Sequence, residues 1–445
     1  MTVKLRGFQF RHLFDSVRTV LDLGESKRGK KQKSRSSQAT TPFQAMASAL
    51  GGSIGTANIA GVASAIALGG AGAVFYMWLA ALLGMALKFS EIVLALKYRK
   101  KCGSTYSGSP MHYIEKGLQG VNRSSYRSSI ISKLAKPLAI SYAVFALLSS
   151  ALGTPLVQAN TLARSAADMV ISFDPSIPSK TVCILAGIVC AAFTGAVVIG
   201  GAKRIGRLSA VLVPFMALAY TAISFAVLIK FRANLLESFV RIFKGAFGLR
   251  QAGGGLCGIC AAKAMRVGIA RGVYSNEAGV GSSAMAHANA ETASSVRQGL
   301  YGIFEVFADT LVMCTLTALV VLSSGVELPS DPTVSGTSIA LSAFASVLGN
   351  HAAGVFLSVS LLLFAYTSII GWSVYGLSAA KYLFGEKART PYCVIFTLLT
   401  ALGALVRVDI AWRCGEALNY LMAAPNLIAL MLLSKEVKKE IAFYE

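Results

Sequence analysis

Ten apolar runs, beginning near Phe43, Ala73, Pro137, Thr181, Leu208, Gly258, Gly299, Gly354, Pro391 and Gly415, divide this chain. An α-helix needs roughly 20 apolar residues to cross a bilayer, and the runs meet that length. Hydrocarbon offers no partner to a backbone N–H or C=O, so the segments have to satisfy themselves as helices. The expectation is an all-α polytopic membrane protein whose first partner is the lipid bilayer. Composition agrees: 55% of residues are hydrophobic and 14% charged, against about 25% charged in soluble domains. No hydrophilic stretch is long enough for a separate catalytic domain, which predicts one polytopic unit.

The formal net charge of +22 would point to nucleic acid in a soluble chain. Here the positive residues sit in short loops, where they mark the cytoplasmic side, and no nucleic-acid partner is expected. With a cytoplasmic N-terminus, the loops after even-numbered helices face inward. These hold "KYRKK" (Lys97–Lys101), "GAKRIGR" (Gly201–Arg207), "SSVRQ" (Ser294–Gln298) and "GEKAR" (Gly385–Arg389), and the C-terminal "SKEVKKE" agrees. "SFDPSIPS" and "ELPSDPTVSG", nearly free of Lys and Arg, face outward. "KFRANLLESFVRIFKGAFGLR", from Lys230 to Arg250, is basic yet expected outside, and its apolar spacing predicts an amphipathic helix on the membrane. The expected order is a basic cytoplasmic segment over 1–42, five helices over 43–232, an amphipathic external connection over 233–257, five more helices over 258–435 and a cytoplasmic tail over 436–445. Localisation follows as multi-pass in the plasma membrane, the inner membrane of a bacterium, with both termini cytoplasmic. Met1 to Thr41 is basic and weakly amphipathic, unlike a secretory signal. Cys183, Cys190, Cys314 and Cys393 lie inside apolar runs, where a thiol acts as a small hydrophobe. Cys257 and Cys260 have metal-like spacing without a second pair and read as small residues at a helix start.

Two runs contradict their own apolarity. Gly51 to Gly61 ("GGSIGTANIAG") and Arg271 to Ser283 ("RGVYSNEAGVGSS") interrupt the first and sixth stretches with glycines and polar side chains. They lead two sets of five helices. Five is odd, so the second set runs inverted relative to the first, as in secondary transporters built from inverted repeats. An interrupted helix exposes amides and carbonyls that lipid cannot satisfy, at several kcal/mol each by the usual estimate. Half-helix N-termini suit a carboxylate, and unwound carbonyls with hydroxyls suit a small hard cation such as Na⁺.

Other intramembrane polar residues read as follows. Asp309, deep in the seventh stretch, is a candidate for a second cation or a proton, as is Glu277. Lys88 and Glu91, at i and i+3, read as neutralising each other near the cytoplasmic end of the second helix. His287 reads as packing or bonding at a helix end.

"IGTANIAGVASAIALGG", "ARGVYSNEAGVGSSAMAHA", "FADTLVMCTLTALVVL", "FAYTSIIGWSVYG" and "LNYLMAAPNLIALMLLS" resemble the alanine or glycine:cation symporter family, also called sodium:alanine symporters. The similarity runs from about Leu5 to the last helix. It implies the leucine-transporter fold of the amino acid–polyamine–organocation superfamily, a ten-helix core with 5+5 inverted helices and broken first and sixth members. It also implies Na⁺-coupled uptake of alanine, glycine or a similar small amino acid, with Na⁺ as coupling ion and no organic cofactor.

Carried over to this chain, the resemblance assigns the substrate carboxylate to amides around Thr56 and Ala57, with Asn58 fixing the unwound turn. Ala57 stands where the family usually has glycine, and its methyl bears on pocket size. Gln158 is a substrate candidate and Asn160 a weaker one. Carbonyls near Tyr274 and Ser275, with Asn276, are assigned to the ammonium, and Trp372 to a wall for the alanine methyl. Carbonyls near Gly51 and Ile54 and the hydroxyls of Thr367 and Ser368 are assigned to Na⁺. The family also implies an apolar helix ahead of "RGFQFRHLF", whereas this sequence opens "MTVKLRGFQFRHLF".

The expected function is symport by alternating access. Proton coupling through Asp309 or Glu277 is the alternative, and a non-transporting amino-acid receptor a further one. No HExxH, nucleophile elbow or Walker loop is present, so an enzyme is not expected.

Overall fold

The computed structural model describes residues 1–21, 39–102, 105–120, 126–248, 254–328 and 336–445. The Cys257 side chain lies outside this description, and Cys260 is exposed.

Helix 1 starts where its sequence says a helix should. Thr41 accepts from the Gln44 amide at 3.2 Å, Gln44 Oε1 accepts from the Thr41 amide at 3.1 Å, and Pro42 takes the first helical position. This reciprocal cap satisfies amides that the first turn leaves orphaned. The first half, Pro42–Ser53, stops at an extended Gly55, a single tight turn covers Thr56–Asn58, and the second half runs Ala60–Gly69. Helix 2 is Gly72–Lys97. A Cβ at Gly72 would fall 2.3 Å from the carbonyl carbon of Gly245, so only glycine lets helix 2 meet the Leu235–Ala246 helix backbone to backbone.

Helix 3 comprises Tyr126–Leu152 and Thr154–Phe173, with a break at Gly153. It begins well before the expected Pro137, because the polar turns ahead of that proline stay helical beyond the apolar run. Helix 4 is Ser179–Val198 and helix 5 Gly201–Lys230. Helix 6 breaks into Gly254–Asn276 and Ser282–His287. The break holds positive φ at Glu277 (55°), Gly279 (91°) and Gly281 (84°), a conformation only the glycines adopt without cost.

Helix 7, Ser295–Ser323, widens into π geometry over Phe307–Cys314. Helix 8 is Asn350–Phe384, helix 9 Arg389–Gly403 and helix 10 Val408–Leu432. Among the described residues, six helices are long and apolar enough to cross a bilayer alone: helices 2, 3, 4, 5, 7 and 8. The broken helices 1 and 6 divide their apolar length between two halves, and helix 9 has 15 residues. Ile188, Phe193, Val211, Phe215 and Leu218 on helices 4 and 5 stay exposed, as lipid-facing side chains do.

The ends of the bundle carry smaller elements: helices Leu13–Leu21 and Ser434–Tyr444, and a hairpin pairing Lys100–Cys102 with Thr105–Ser107. Lys97 ties helix 2 to Ser434–Tyr444 through Glu436 (2.8 Å) and Glu440 (3.2 Å).

Candidate functional site

The two broken helices meet, and their side chains explain how each unwound turn survives inside the bundle. Asn58 Oδ1 accepts from the Gly55 amide at 2.9 Å, closing the turn on itself. Its Nδ2 donates to Asp309 Oδ1 at 2.8 Å and lies 3.3 Å from Ser275 Oγ. Thr317 donates to the Asn58 carbonyl at 2.8 Å. One asparagine thereby joins both breaks to helix 7.

Asp309 is fully buried and accepts from Asn58, from Ser275 Oγ (2.8 Å) and from Thr310 Oγ1 (2.7 Å). A carboxylate taking three donors is an acceptor throughout, which is what an ionised group needs in a low dielectric. The π turn places Asp309 and its neighbour Thr310 together at this junction, and Thr310 in turn accepts from Asn276 Nδ2 at 3.1 Å. Asn276 Oδ1 accepts from the Ala278 amide at 3.0 Å. Glu277 accepts from Ser282 Oγ at 2.5 Å and from Trp372 Nε1 at 2.8 Å. Trp372 packs on Tyr375, so its indole serves the helix 6 break.

Gln158 reaches across from helix 3, its Oε1 accepting from the Thr56 amide at 3.2 Å. Of the two amides assigned to a carboxylate, that of Thr56 is thus shared with Gln158. Asn160 points elsewhere, donating to the Val406 carbonyl at 2.6 Å and accepting from Arg164, and so ties helix 3 to the end of helix 9. Thr56 Oγ1 is buried without a hydrogen-bond partner among the described residues, while Tyr274 OH and Thr154 lie together against Gly415. The Tyr274 ring lies 5.1 Å from that of Trp412, whose edge reaches toward Gly61 and Ala57. Arg271 lies over the same indole at 4.7 Å and pairs with Glu416 at 2.8 Å.

The residues assigned to Na⁺ are adjacent. A Cβ on Gly51 would sit 3.4 Å from Thr367 Cβ, and Ser368 Oγ donates to the Gly52 carbonyl at 2.9 Å. Thr367 Oγ1 donates back to helix 8, to Leu363 O at 3.0 Å. Ile54 is buried at the end of the same half-helix. Hydroxyl and carbonyl oxygens are of the kind a small cation takes, and Ser368 brings helix 8 against helix 1 at Gly52.

One sequence reading is corrected. Lys88 and Glu91 do not pair: Lys88 Nζ donates to the Asn276 carbonyl (2.8 Å) and Ser53 Oγ (3.2 Å) and lies 3.2 Å from Glu305, while Glu91 accepts from Asn426 at 2.8 Å. Helix 2 is enclosed here, so its two charges aim at different neighbours. His287 bonds Glu305 at 2.5 Å and Gln298 at 2.8 Å, a helix-end position as expected. Sequence reasoning missed Glu305, which the cost of an intramembrane carboxylate flags as readily as Asp309. It also missed Trp412, whose local pattern is that of any packing aromatic.

The comparisons with known proteins fit this geometry. A model of the sodium:alanine symporter family matches residues 1–445. The sodium/alanine symporter AgcS of Methanococcus maripaludis is 37% identical over 400 residues, covering 89% of this chain and 83% of that protein. The amino-acid carrier protein AlsT of Bacillus subtilis is 32% identical over 440 residues, 98% of this chain and 85% of its own length. Among solved structures, MhsT in complex with L-phenylalanine is similar with a TM-score of 0.56 at 13% identity, over 88% of this chain and 89% of that one. At that identity the likeness speaks to the fold, which is that of leucine-transporter-type proteins.

Proposed function

The chain belongs to the sodium:alanine symporter family, and from that premise we propose that it couples Na⁺ influx to uptake of alanine, glycine or a similar small amino acid by alternating access. It is a multi-pass membrane protein and not an enzyme. The observation that carries the reading is the junction of the breaks. Thr56 Oγ1 is buried without a partner among the described residues, on the residue whose amide donates to Gln158, at the turn that Asn58 closes. Buried polar groups of this kind cost about 1–3 kcal/mol each unless a ligand satisfies them. A Cβ on Gly61 would lie 3.4 Å from the Ala57 methyl and 3.9 Å from Trp412, tight packing that supports a small substrate side chain. Gly51 and Ile54, on the half-helix that ends at the same turn, and Thr367 and Ser368, on helix 8, carry oxygens of the type Na⁺ takes.

Proton coupling through Asp309 or Glu277 fits less well. Both carboxylates are occupied as acceptors that hold the breaks in shape. The basic loops support a cytoplasmic Lys97 end of helix 2 under the positive-inside rule.

The test is uptake of labelled L-alanine into proteoliposomes under an inward Na⁺ gradient, an equal K⁺ gradient, or a pH gradient alone. Accumulation with Na⁺ only is expected. Accumulation driven by the pH gradient alone would overturn the sodium reading.

A further inference from the structure

An apolar groove of about 460 Å³ runs between helices 5 and 7. Phe225 and Ile229 line it from helix 5, Leu311, Leu316 and Leu319 from helix 7, and Phe239 from the Leu235–Ala246 helix. From Leu311 to Leu319 helix 7 rises about 12 Å, most of the roughly 15 Å of hydrocarbon in one leaflet. The groove therefore has the length of one acyl chain in that leaflet.

A single charged residue lines it. Arg232 follows the end of helix 5, and neither its side chain nor that of Lys230 makes a hydrogen bond or ion pair among the described residues. From Lys230 to Ala246 the chain carries four basic residues and one acid, Glu237. Leu236, Phe243 and Phe247 are exposed along the same segment, which sets it at the boundary between hydrocarbon and headgroups. An unneutralised guanidinium there meets lipid phosphates, with its stem on the apolar side. We propose that the groove is a binding site for an anionic phospholipid, with one acyl chain between helices 5 and 7 and the phosphate held by Arg232 and Lys230.

The groove sets where the lipid lies, and the charge sets which lipid is taken. A chain entering from bulk bilayer exchanges one hydrocarbon surface for another and brings little preference of its own. Two cations without counter-ions favour a lipid of net negative charge over a zwitterion. A second groove gives the contrast: about 420 Å³ between helices 3, 8 and 9, lined by Leu148, Phe384 and Ile395 among others, has no charged lining residue and no basis for choosing. The lipid at Arg232 also backs the central junction. Val312 and Thr315 line the groove, and Thr315 donates to the Thr310 carbonyl at 3.3 Å, next to Asp309. An acyl chain here packs against the π turn that presents Asp309 to both breaks.

Trp78 is a built-in reporter. Its Nε1 donates to Thr315 Oγ1 at 2.8 Å, and its ring lies 6.2 Å from that of Phe239. The chain has three tryptophans, and Trp372 is fully buried. The test reconstitutes the full chain in bilayers of phosphatidylglycerol and phosphatidylcholine, with one of the two carrying brominated acyl chains that quench a neighbouring indole. The Trp78 signal is the difference from Trp78→Phe. Wild type is expected to prefer phosphatidylglycerol at Trp78 roughly 30-fold, about fivefold for each cation. Arg232→Gln should leave a preference of about fivefold, and Arg232→Gln with Lys230→Gln should bring the two lipids to parity. Lys244→Gln removes the same charge from a residue that does not line the groove and should change nothing. Lys230, Arg232 and Lys244 are all exposed, so these variants leave the fold intact. Equal quenching by the two lipids in wild type would overturn the proposal. Equal losses in Arg232→Gln and Lys244→Gln would overturn it as well, by showing a diffuse surface charge in place of a site.

Discussion

Gly55→Ala tests the Thr56 turn directly. Gly55 has an extended backbone that alanine adopts freely, so the substitution introduces no strain of its own. The added Cβ would lie 2.5 Å from Gln158 Nε2 and 3.2 Å from its Cδ. Ordinary contact begins near 3.5 Å, so the end of the glutamine has to swing by about 1 Å. Its bond to the Thr56 amide is already 3.2 Å long and has no slack for that displacement. The bond itself is worth about 0.5–1.5 kcal/mol, and a stranded buried amide costs about 1–3 kcal/mol. Against this, removing glycine's freedom from the unfolded chain returns about 0.4–1 kcal/mol. The balance is a net loss of about 0.5–4 kcal/mol, so the melting temperature should fall. If the Thr56 turn receives the amino acid, a loss of about 1.4–2.8 kcal/mol raises KM for uptake roughly 10- to 100-fold. Gly354→Ala is the control, since its Cβ meets nothing within 4 Å, and it should leave uptake unchanged. Proteoliposome uptake against alanine concentration, with thermal unfolding of the same preparations, gives both readouts. An unchanged KM in Gly55→Ala would refute the assignment of Thr56 and Gln158 to the substrate.

Two further substitutions test neighbouring parts of the same reasoning. In Gly371→Ala the new Cβ would fall 2.9 Å from Gly52 Cα and N and 3.0 Å from Ser48 O, all backbone atoms that cannot step aside. Prying helix 8 from helix 1 at the proposed Na⁺ oxygens should cost ~1–3 kcal/mol and raise the Na⁺ concentration for half-maximal uptake about tenfold; an unchanged Na⁺ requirement would remove the ion from this interface. Lys88→Met strands the buried Glu305 carboxylate and should destabilise the protein by about 3–5 kcal/mol, whereas Lys88→Met with Glu305→Gln should recover most of that in thermal unfolding. Equal losses in the single and double variants would show that Lys88 matters for its bonds to Asn276 and Ser53 rather than for its charge.

What was legible in the sequence was what the bilayer makes obligatory. Apolar length marks a helix in hydrocarbon, and a polar, glycine-bearing interruption inside that length has few explanations, so both breaks stood out at Gly51–Gly61 and Arg271–Ser283. Asn58 and Asp309 were visible for the same reason, each too polar for its surroundings without a purpose, whereas Gln158 came from the family resemblance. The π turn over Phe307–Cys314 left no such mark, because its residues have ordinary apolar composition and only the register changes. The pairing of Lys88 was misread because the i, i+3 rule describes a helix surface open to solvent. Inside a bundle the nearest partner is set by the neighbouring helix, and here that neighbour supplies Glu305.

The bonds at the breaks also indicate how the molecule can move. The first half of helix 1 is held by Lys88 at Ser53, Ser368 at Gly52, and Gln298 and Asn289 around Pro42. The second half is held elsewhere: a Cβ on Gly336 would overlap the Ala60 carbonyl, which puts the Gly336–Leu348 helix directly against it. Between the two halves the chain continues through Gly55 and the turn closed by Asn58, held only by the long bonds from Asn58 N to Gly55 O and from Ile59 N to Thr56 O, both 3.3 Å. Each half can therefore follow its own set of neighbours while the turn at Thr56 stays bonded to Gln158 and Asp309 stays bonded to Asn58. A ligand that fills the turn reports to both halves at once, which is the mechanical requirement for coupling an ion on one side of the break to an amino acid at its centre.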